Sequence, residues 1–208
     1  MESARDIITQ RKIIAIIRGN FDLSRLHEMA SAMLEGGVVV MEVTLNSEGA
    51  LQAISSLRTA FGSQLLIGAG TVRTALDTQL AIEAGAQFLI SPNFDLASVQ
   101  VSRSANILHL PGVFTATEIQ AAYNAGCKMV KLFPADALGP RYVKALKAPL
   151  DDVEIVPTGG ISEHNIADYL QAGAVAFGVG SSLVTGPLQN LGELRDRART
   201  LTQAVESA

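Results

Sequence analysis

The sequence predicts an α/β protein: a single (β/α)8, or TIM, barrel over residues 1–208, with a short helix ahead of its first strand. Three observations predict it. Eight short apolar or β-branched runs recur, at residues 13–17, 38–43, 65–68, 88–91, 107–110, 129–133, 154–157 and 176–179. Their starts lie roughly 18 to 27 residues apart, the span of one strand, one helix and two short loops. The runs are apolar on both faces, which argues for a parallel sheet covered by helices. Eight such units close a barrel, and 208 residues is near the lower end of that fold's size range. An open doubly wound sheet of similar period is the alternative.

The segment before Ile13 reads as a short amphipathic helix over the barrel's bottom. After the first strand, Leu23, Leu26, Ala30, Met33 and Leu34 mark one helical face, and Gly36-Gly37 supplies the stop. The same order of helix, small pair and apolar strand returns at Ala84-Gly85, Ala125-Gly126 and Ala172-Gly173, a weak internal repeat. Thr115 and Glu118 form a capping box that opens the helix ending at Gly126. Ser162 is expected to cap the next helix, which ends near Gly173. Leu191, Leu194, Ala198, Leu201 and Val205 give the last helix its inward stripe. No linker or second domain is visible.

Sixteen Lys and Arg against 20 Asp and Glu give a formal charge of −4, so a diffuse basic surface for nucleic acid or anionic membrane is excluded. An anionic ligand needs a local cluster instead. The single Cys127 cannot form an intrachain disulfide, which fits a reducing compartment. The charged N-terminus does not read as a signal peptide. The uncharged stretch 169–192 is broken by five glycines and Pro187, and reads as buried strand plus loop. A cytoplasmic protein is expected.

Polar residues gather at the C-terminal ends of the strands, the face where barrel active sites lie. They are Arg18-Gly19, Glu42 with Thr44 and Asn46, G-A-G-T ending at Thr71, S-P-N around Pro92, Lys131, P-T-G-G and G-V-G-S. Lys131 stands out, flanked by apolar residues in M-V-K-L-F-P and sharing pleat parity with Met129 and Phe133. Burial lowers a lysine's pKa. From about 10.4, a drop of roughly three units costs about 4 kcal/mol and makes a usable nucleophilic amine. The functional reading is a Schiff-base lysine; the plain one is a salt-bridged structural lysine. Lys128, Lys12, Lys144 and Lys147 read as solvated or helical.

Glu42 follows V-V-V-M inside a strand, where a carboxylate needs a partner, and Lys131 and Arg18 are the cations on that rim. It either shuttles protons for imine chemistry or forms a structural ion pair. Arg18 either binds a substrate carboxylate or orients Glu42. The loops P-T-G-G-I-S-E and G-V-G-S-S follow the last two strands, where barrels commonly bind phosphate through backbone amides. No lysine or arginine lies in them, so amides and the hydroxyls of Ser181 and Ser182 are expected to hold the phosphate. His27 and His164 read as surface residues, His109 as a core histidine and Cys127 as a small buried hydrophobe. None has metal-ligand spacing, so no metal is expected. G-A-G-T lacks the spacing of a dinucleotide site.

The strings M-E-V-T-L, G-A-G-T-V, S-P-N, L-P-G-V-F-T-A-T-E, K-L-F-P-A, G-P-R-Y-V-K-A-L, P-T-G-G-I and G-V-G-S, in that order from about residue 14 to 184, carry a resemblance. The chain resembles the bacterial 2-keto-3-deoxy-6-phosphogluconate (KDPG) / 4-hydroxy-2-oxoglutarate (KHG) aldolases. The resemblance implies a class I aldolase on a TIM barrel, usually a homotrimer, needing no metal and no other cofactor. Lys131 then corresponds to the Schiff-base lysine, Glu42 to the acid/base residue and Arg18 to a site arginine. Thr71, Pro92 and Phe133 match the pyruvate pocket, and Gly159, Gly160, Gly180 and Ser181 the phosphate loops. The expected reaction is reversible cleavage of KDPG to pyruvate and glyceraldehyde 3-phosphate, as in the Entner–Doudoroff route.

One departure bears on the substrate. Members that cleave the gluconate sugar usually carry Arg-Thr after the E-V-T-L motif, where this chain has Asn46-Ser47. That pair resembles the branch acting on the galactonate epimer, whereas Thr158 resembles the gluconate branch. The galactonate epimer and 4-hydroxy-2-oxoglutarate therefore stand as alternative substrates. A sugar-phosphate epimerase and a non-catalytic phosphate-binding barrel stand as alternative functions.

Overall fold

In the computed structural model, which describes residues 2–208, helices and strands alternate along nearly the whole chain. Helix α1 (Ala4–Arg11) precedes β1 (Ile13–Ile17), α2 (Leu23–Glu35), β2 (Val40–Thr44), α3 (Ala50–Phe61) and β3 (Leu66–Gly70). Next come α4 (Ala75–Glu83), β4 (Phe88–Ile90), α5 (Leu96–Ser104), β5 (Leu108–Leu110), β6 (Gly112–Val113), α6 (Ala116–Asn124) and β7 (Met129–Leu132). A 3-10 turn (Ala135–Ala137), α7 (Gly139–Lys147), β8 (Glu154–Pro157), α8 (Ile166–Gln171), β9 (Phe177–Val179) and α9 (Leu191–Glu206) complete the order. Among the described residues, no helix is long and apolar enough to cross a membrane.

Every strand pairing is parallel. One sheet runs β5-β4-β3-β2-β1-β9 and the other β6-β7-β8, with single bridges Ile155↔Ala174 and Thr158↔Gly178 between them. The fifth apolar run is where the sequence reading and the structure differ most. The run 107–110 forms β5, and a further short strand, β6, which the sequence reading did not include, follows just beyond Pro111, a residue with no N–H to donate to a ladder. The second strand starts at Val40 rather than residue 38, and the third runs on to Gly70 rather than 68.

The two faces of each strand serve different cores. Ala15, Ile17, Met41, Val43, Val130, Leu132 and Ile155 pack into a large cluster with the helices. Ile14, Val40, Leu66, Phe88, Leu110, Met129, Val156 and Ala176 form a second cluster with Ile8 of α1. That helix opens with a Ser3–Asp6 capping box, and Arg5 donates to Glu154 at the start of β8 (2.8 Å), so α1 covers the strands' N-terminal ends. Glu42 and Lys131 share pleat parity with Val40 and Met129, at the other end.

Asp22, Thr74, Asp95, Thr115 and Asn190 cap α2, α4, α5, α6 and α9 through their side chains, and the box of Thr115 and Glu118 forms as read. Ser162 does not cap α8. Its backbone N–H donates to Asn165 Oδ1 (3.0 Å), and Asn165 Nδ2 donates to Gly160 O (2.8 Å). Asn165 stands at the N-cap position without a capping bond, because its amide holds the preceding glycine loop.

Candidate active site

Lys131 is the third residue of β7 and only 6% exposed. Its Nζ lies 5.0 Å from the centroid of the Phe133 ring, within cation–π range. Among the described residues it makes no ion pair within 4.0 Å and no side-chain hydrogen bond, so it is not the salt-bridged lysine of the plain reading. Burial pulls its pKa below the usual lysine value; Glu42 opposes that shift and the nearby Arg18 cation adds to it.

Glu42, the third residue of β2, is 1% exposed, and its Oε2 has no hydrogen-bond partner. Burial pushes its pKa up, against the pull of Lys131 and Arg18. Gly70 makes room for this carboxylate: a Cβ there would lie 2.5 Å from Glu42 Oε1. A glycine ending a strand is the sequence signal for such a close approach. The pair is an electrostatically coupled amine and carboxylate, each desolvated and neither in direct contact with a partner, the kind of environment in which perturbed groups mark a candidate site.

A cleft of about 590 Å³ opens above Lys131. Of the residues singled out from sequence, Arg18, Lys131, Phe133, Thr158, Gly159, Gly160, Gly180 and Ser181 line it. Glu42, Thr71 and Pro92 do not; Glu42 is buried, Thr71 and Pro92 half-buried. Thr71 has φ 57°, a conformation costly for a β-branched side chain by about 1–3 kcal/mol. Pro92 abuts Gly112, where a Cβ would lie 2.2 Å from the Pro92 carbonyl carbon.

The glycine loops differ from one another. Gly159 (φ +100°) and Gly160 (φ +68°) need the left-handed region, and a Cβ on Gly160 would lie 2.5 Å from Asp136 Cβ. Gly180 meets no such constraint. The Ser182 hydroxyl, which also lines the cleft, donates to Ile161 O (2.6 Å) and so ties one loop to the other; Ser181 is exposed. Among the described residues, Arg18 and Lys131 are the only cationic side chains lining the cleft.

His109 lies on the other face of the sheet, between Ser91 Oγ (2.6 Å) and Ser102 Oγ (3.2 Å), and burial pushes its pKa down to about 4. It is the core histidine expected. His27 is not the surface residue expected: it is half-buried, 2.8 Å from Ser56 Oγ and edge-on to Phe61. Burial pushes the Cys127 thiol up to about 11. Among the described residues, no three His, Cys, Asp or Glu side chains gather as metal ligands. The residue that sequence reasoning missed is Ser47. It is 8% exposed, 3.0 Å from Thr44 Oγ1, and accepts a hydrogen bond from Gly19 N (3.0 Å). Its only sequence signal was the departure at Asn46-Ser47.

A parallel α/β sheet with a buried amine, a buried carboxylate and glycine loops at one end of its strands fits an aldolase, a lyase, and the comparisons with known proteins give that class. The family model of KDPG and KHG aldolase matches residues 4–196, and the chain belongs to that family. It is 37% identical over 199 residues to a probable 2-dehydro-3-deoxy-6-phosphogalactonate aldolase of Rhizobium meliloti, covering 95% of this chain and 93% of that one. It is 36% identical over 209 residues to the KHG/KDPG aldolase of Escherichia coli, covering 99% and 96%. The structure is similar, at TM-score 0.82 and 28% identity over 97% of this chain and 96% of the other, to a KDPG aldolase from Legionella pneumophila with pyruvate captured at low pH as a covalent carbinolamine intermediate.

Proposed function

We propose that this chain cleaves a 2-keto-3-deoxy-6-phospho sugar acid reversibly to pyruvate and glyceraldehyde 3-phosphate, with Lys131 as the imine-forming amine and Glu42 as the proton carrier. The observation that carries it is the buried Lys131 Nζ, without a carboxylate in contact among the described residues, in a cleft that also holds Arg18 and the glycine loops. Neutral Lys131 adds to the C2 carbonyl to give a carbinolamine, and loss of water gives the protonated imine. The electron pair of the C3–C4 bond then flows into the imine as the C4 hydroxyl loses its proton, by way of a water, to Glu42. Glyceraldehyde 3-phosphate leaves, the enamine takes a proton at C3, and water releases pyruvate and the free amine. Arg18 faces an anionic end of the substrate, Phe133 borders the pyruvyl group, and Gly159, Gly160, Gly180 and Ser181 meet the phosphate; Thr71 and Pro92, outside the cleft lining, are assigned to the pyruvyl side by the family resemblance alone.

The epimer is the second reading. Asn46, exposed at the end of β2, favours the galactonate sugar, as does the name of the Rhizobium relative; Thr158, on the cleft wall, favours the gluconate sugar. Cleavage of 4-hydroxy-2-oxoglutarate fits the same pyruvyl half.

The reading includes a single closed (β/α)8 domain. Its supports are the bridges between β8 and β9 and the β1–β9 pairing. It includes a homotrimer, supported by exposed Leu76 and Leu80 on one face of α4 and Leu96 at the start of α5. A cytoplasmic setting fits the lone Cys127.

The test is to incubate the protein with pyruvate, reduce with borohydride and map the adduct by mass spectrometry. One reduced pyruvate on Lys131, absent in Lys131→Met, is expected. A folded protein that takes no pyruvate sinks the imine and points to an epimerase or a binding protein.

A further inference from the structure

Strand β1 ends at Ile17, so the ladder holds neither Arg18 nor the residues after it. Gly19 adopts φ +126°, open mainly to glycine, so the joint beside Arg18 is flexible unless something outside the strand fixes it. The Gly19 N–H donates to Ser47 Oγ (3.0 Å), and Ser47 shares a further hydrogen bond with Thr44 Oγ1 (3.0 Å). Thr44 is fully buried and lies in the β2–β3 ladder opposite Gly70, so this anchor is part of the sheet. One residue further on, the Asn20 amide both donates to Glu48 Oε2 and accepts from Glu48 N, each at 3.3 Å. The two loops are thus fastened together at successive positions. Arg18 itself makes no side-chain hydrogen bond or ion pair among the described residues, and lines the cleft with Lys131.

We propose that Ser47 is a positioning residue for Arg18: by holding Gly19 to the end of β2, it fixes where the guanidinium meets the substrate's anionic group. This rests on the proposed reading of the cleft and adds to it a role for Ser47, the second residue of the pair after E-V-T-L, where a hydroxyl is what the anchor needs. Ser47 touches no reacting atom. Its effect travels through one backbone joint, and the hydroxyl rather than the packing carries it. Removing a hydrogen bond of this kind, and so loosening Arg18, weakens anion capture by about two- to tenfold.

The experiment measures borohydride trapping against pyruvate concentration for wild type, Ser47→Ala, Ser47→Thr, Arg18→Met and the double variant Arg18→Met/Ser47→Ala. Ser47→Ala is expected to raise the half-saturating pyruvate concentration about two- to tenfold while leaving complete trapping at saturation. Ser47→Thr, which keeps the hydroxyl, is expected to restore the wild-type value. In the Arg18→Met background, Ser47→Ala is expected to add nothing. A wild-type concentration dependence in folded Ser47→Ala overturns the proposal, as does an equal further loss in the Arg18→Met background. The same comparison in Lys131→Met, by calorimetric titration with pyruvate, involves no imine. Failure of the Schiff-base reading therefore shows in the wild type, and failure of the positioning role in the Ser47 variants.

Discussion

His109 shows what a single buried group contributes. Both ring nitrogens face serine hydroxyls, and with its pKa pushed down to about 4 the ring is neutral in the fold at neutral pH. In the unfolded chain it titrates near 6.5. Above that value neither state binds the proton, and His109 leaves stability independent of pH. Between about 6.5 and 4 the unfolded chain takes up a proton that the folded one refuses, so stability falls as the pH is lowered, by about 3 kcal/mol in all. Urea unfolding across that range is expected to show the slope in wild type and a flatter dependence in His109→Gln, whatever the offset between them. Lys131 and Glu42 are displaced from their ordinary values by the same desolvation, but they sit at the cleft end of the strands, where the proposed chemistry uses that displacement. The apolar neighbours of Lys131 made its burial legible in the sequence. The Gly19–Ser47 bond was not legible, because a hydrogen bond between residues 28 apart depends on strand register, which no local pattern records.

At the scale of elements, the sequence read well where one physical rule decided and poorly where two competed. The β-branched runs became strands, and the box of Thr115 and Glu118 became the start of α6, because pattern and capping agreed. Ser162 was a sound cap by type, yet Asn165 lies within reach of both Ser162 N and Gly160 O and closes the loop instead. The short β6 beyond Pro111 was not legible, because a proline without an N–H followed by a glycine ends the apolar pattern that marks a strand. In the sequence Gly36-Gly37 reads as one stop signal, and in the structure the two glycines do different things. Gly37 (φ +91°) supplies the left-handed turn, whereas Gly36 has ordinary φ (−83°) and lets α9 approach: a Cβ there would lie 2.5 Å from Ala198 Cβ and 2.6 Å from Arg195 O. Both neighbours belong to a well-packed helix with little room to shift. Gly36→Ala is therefore expected to destabilise the protein by about 1–3 kcal/mol, despite alanine's better helix propensity, as read by chemical denaturation. A neutral or stabilising result would mean that α2 and α9 separate easily.

At the scale of the molecule, the strands separate the stabilising end from the chemical end. Ile8, fully buried on α1, joins Ile14, Val40, Leu66 and Val156 in the second cluster, and Arg5 of the same helix pairs with Glu154 at the start of β8. Lys131 and Glu42 lie one inward position nearer the C-terminal ends than Met129 and Val40. The pair is exposed at Arg5, so it contributes little; the apolar contact of Ile8 carries the attachment. Truncating Ile8 to alanine is expected to cost about 2–5 kcal/mol through lost burial and the cavity left behind. Because the packed layer of Val40, Met129 and their neighbours stands between Ile8 and the cleft, pyruvate trapping at Lys131 in folded Ile8→Ala is expected to keep its wild-type concentration dependence. Thermal unfolding and trapping measured on one preparation separate the two ends: a lower Tm with unchanged trapping supports the division of labour. A change in trapping comparable to the loss of stability would show that the cavity's effect passes through the second cluster to Lys131.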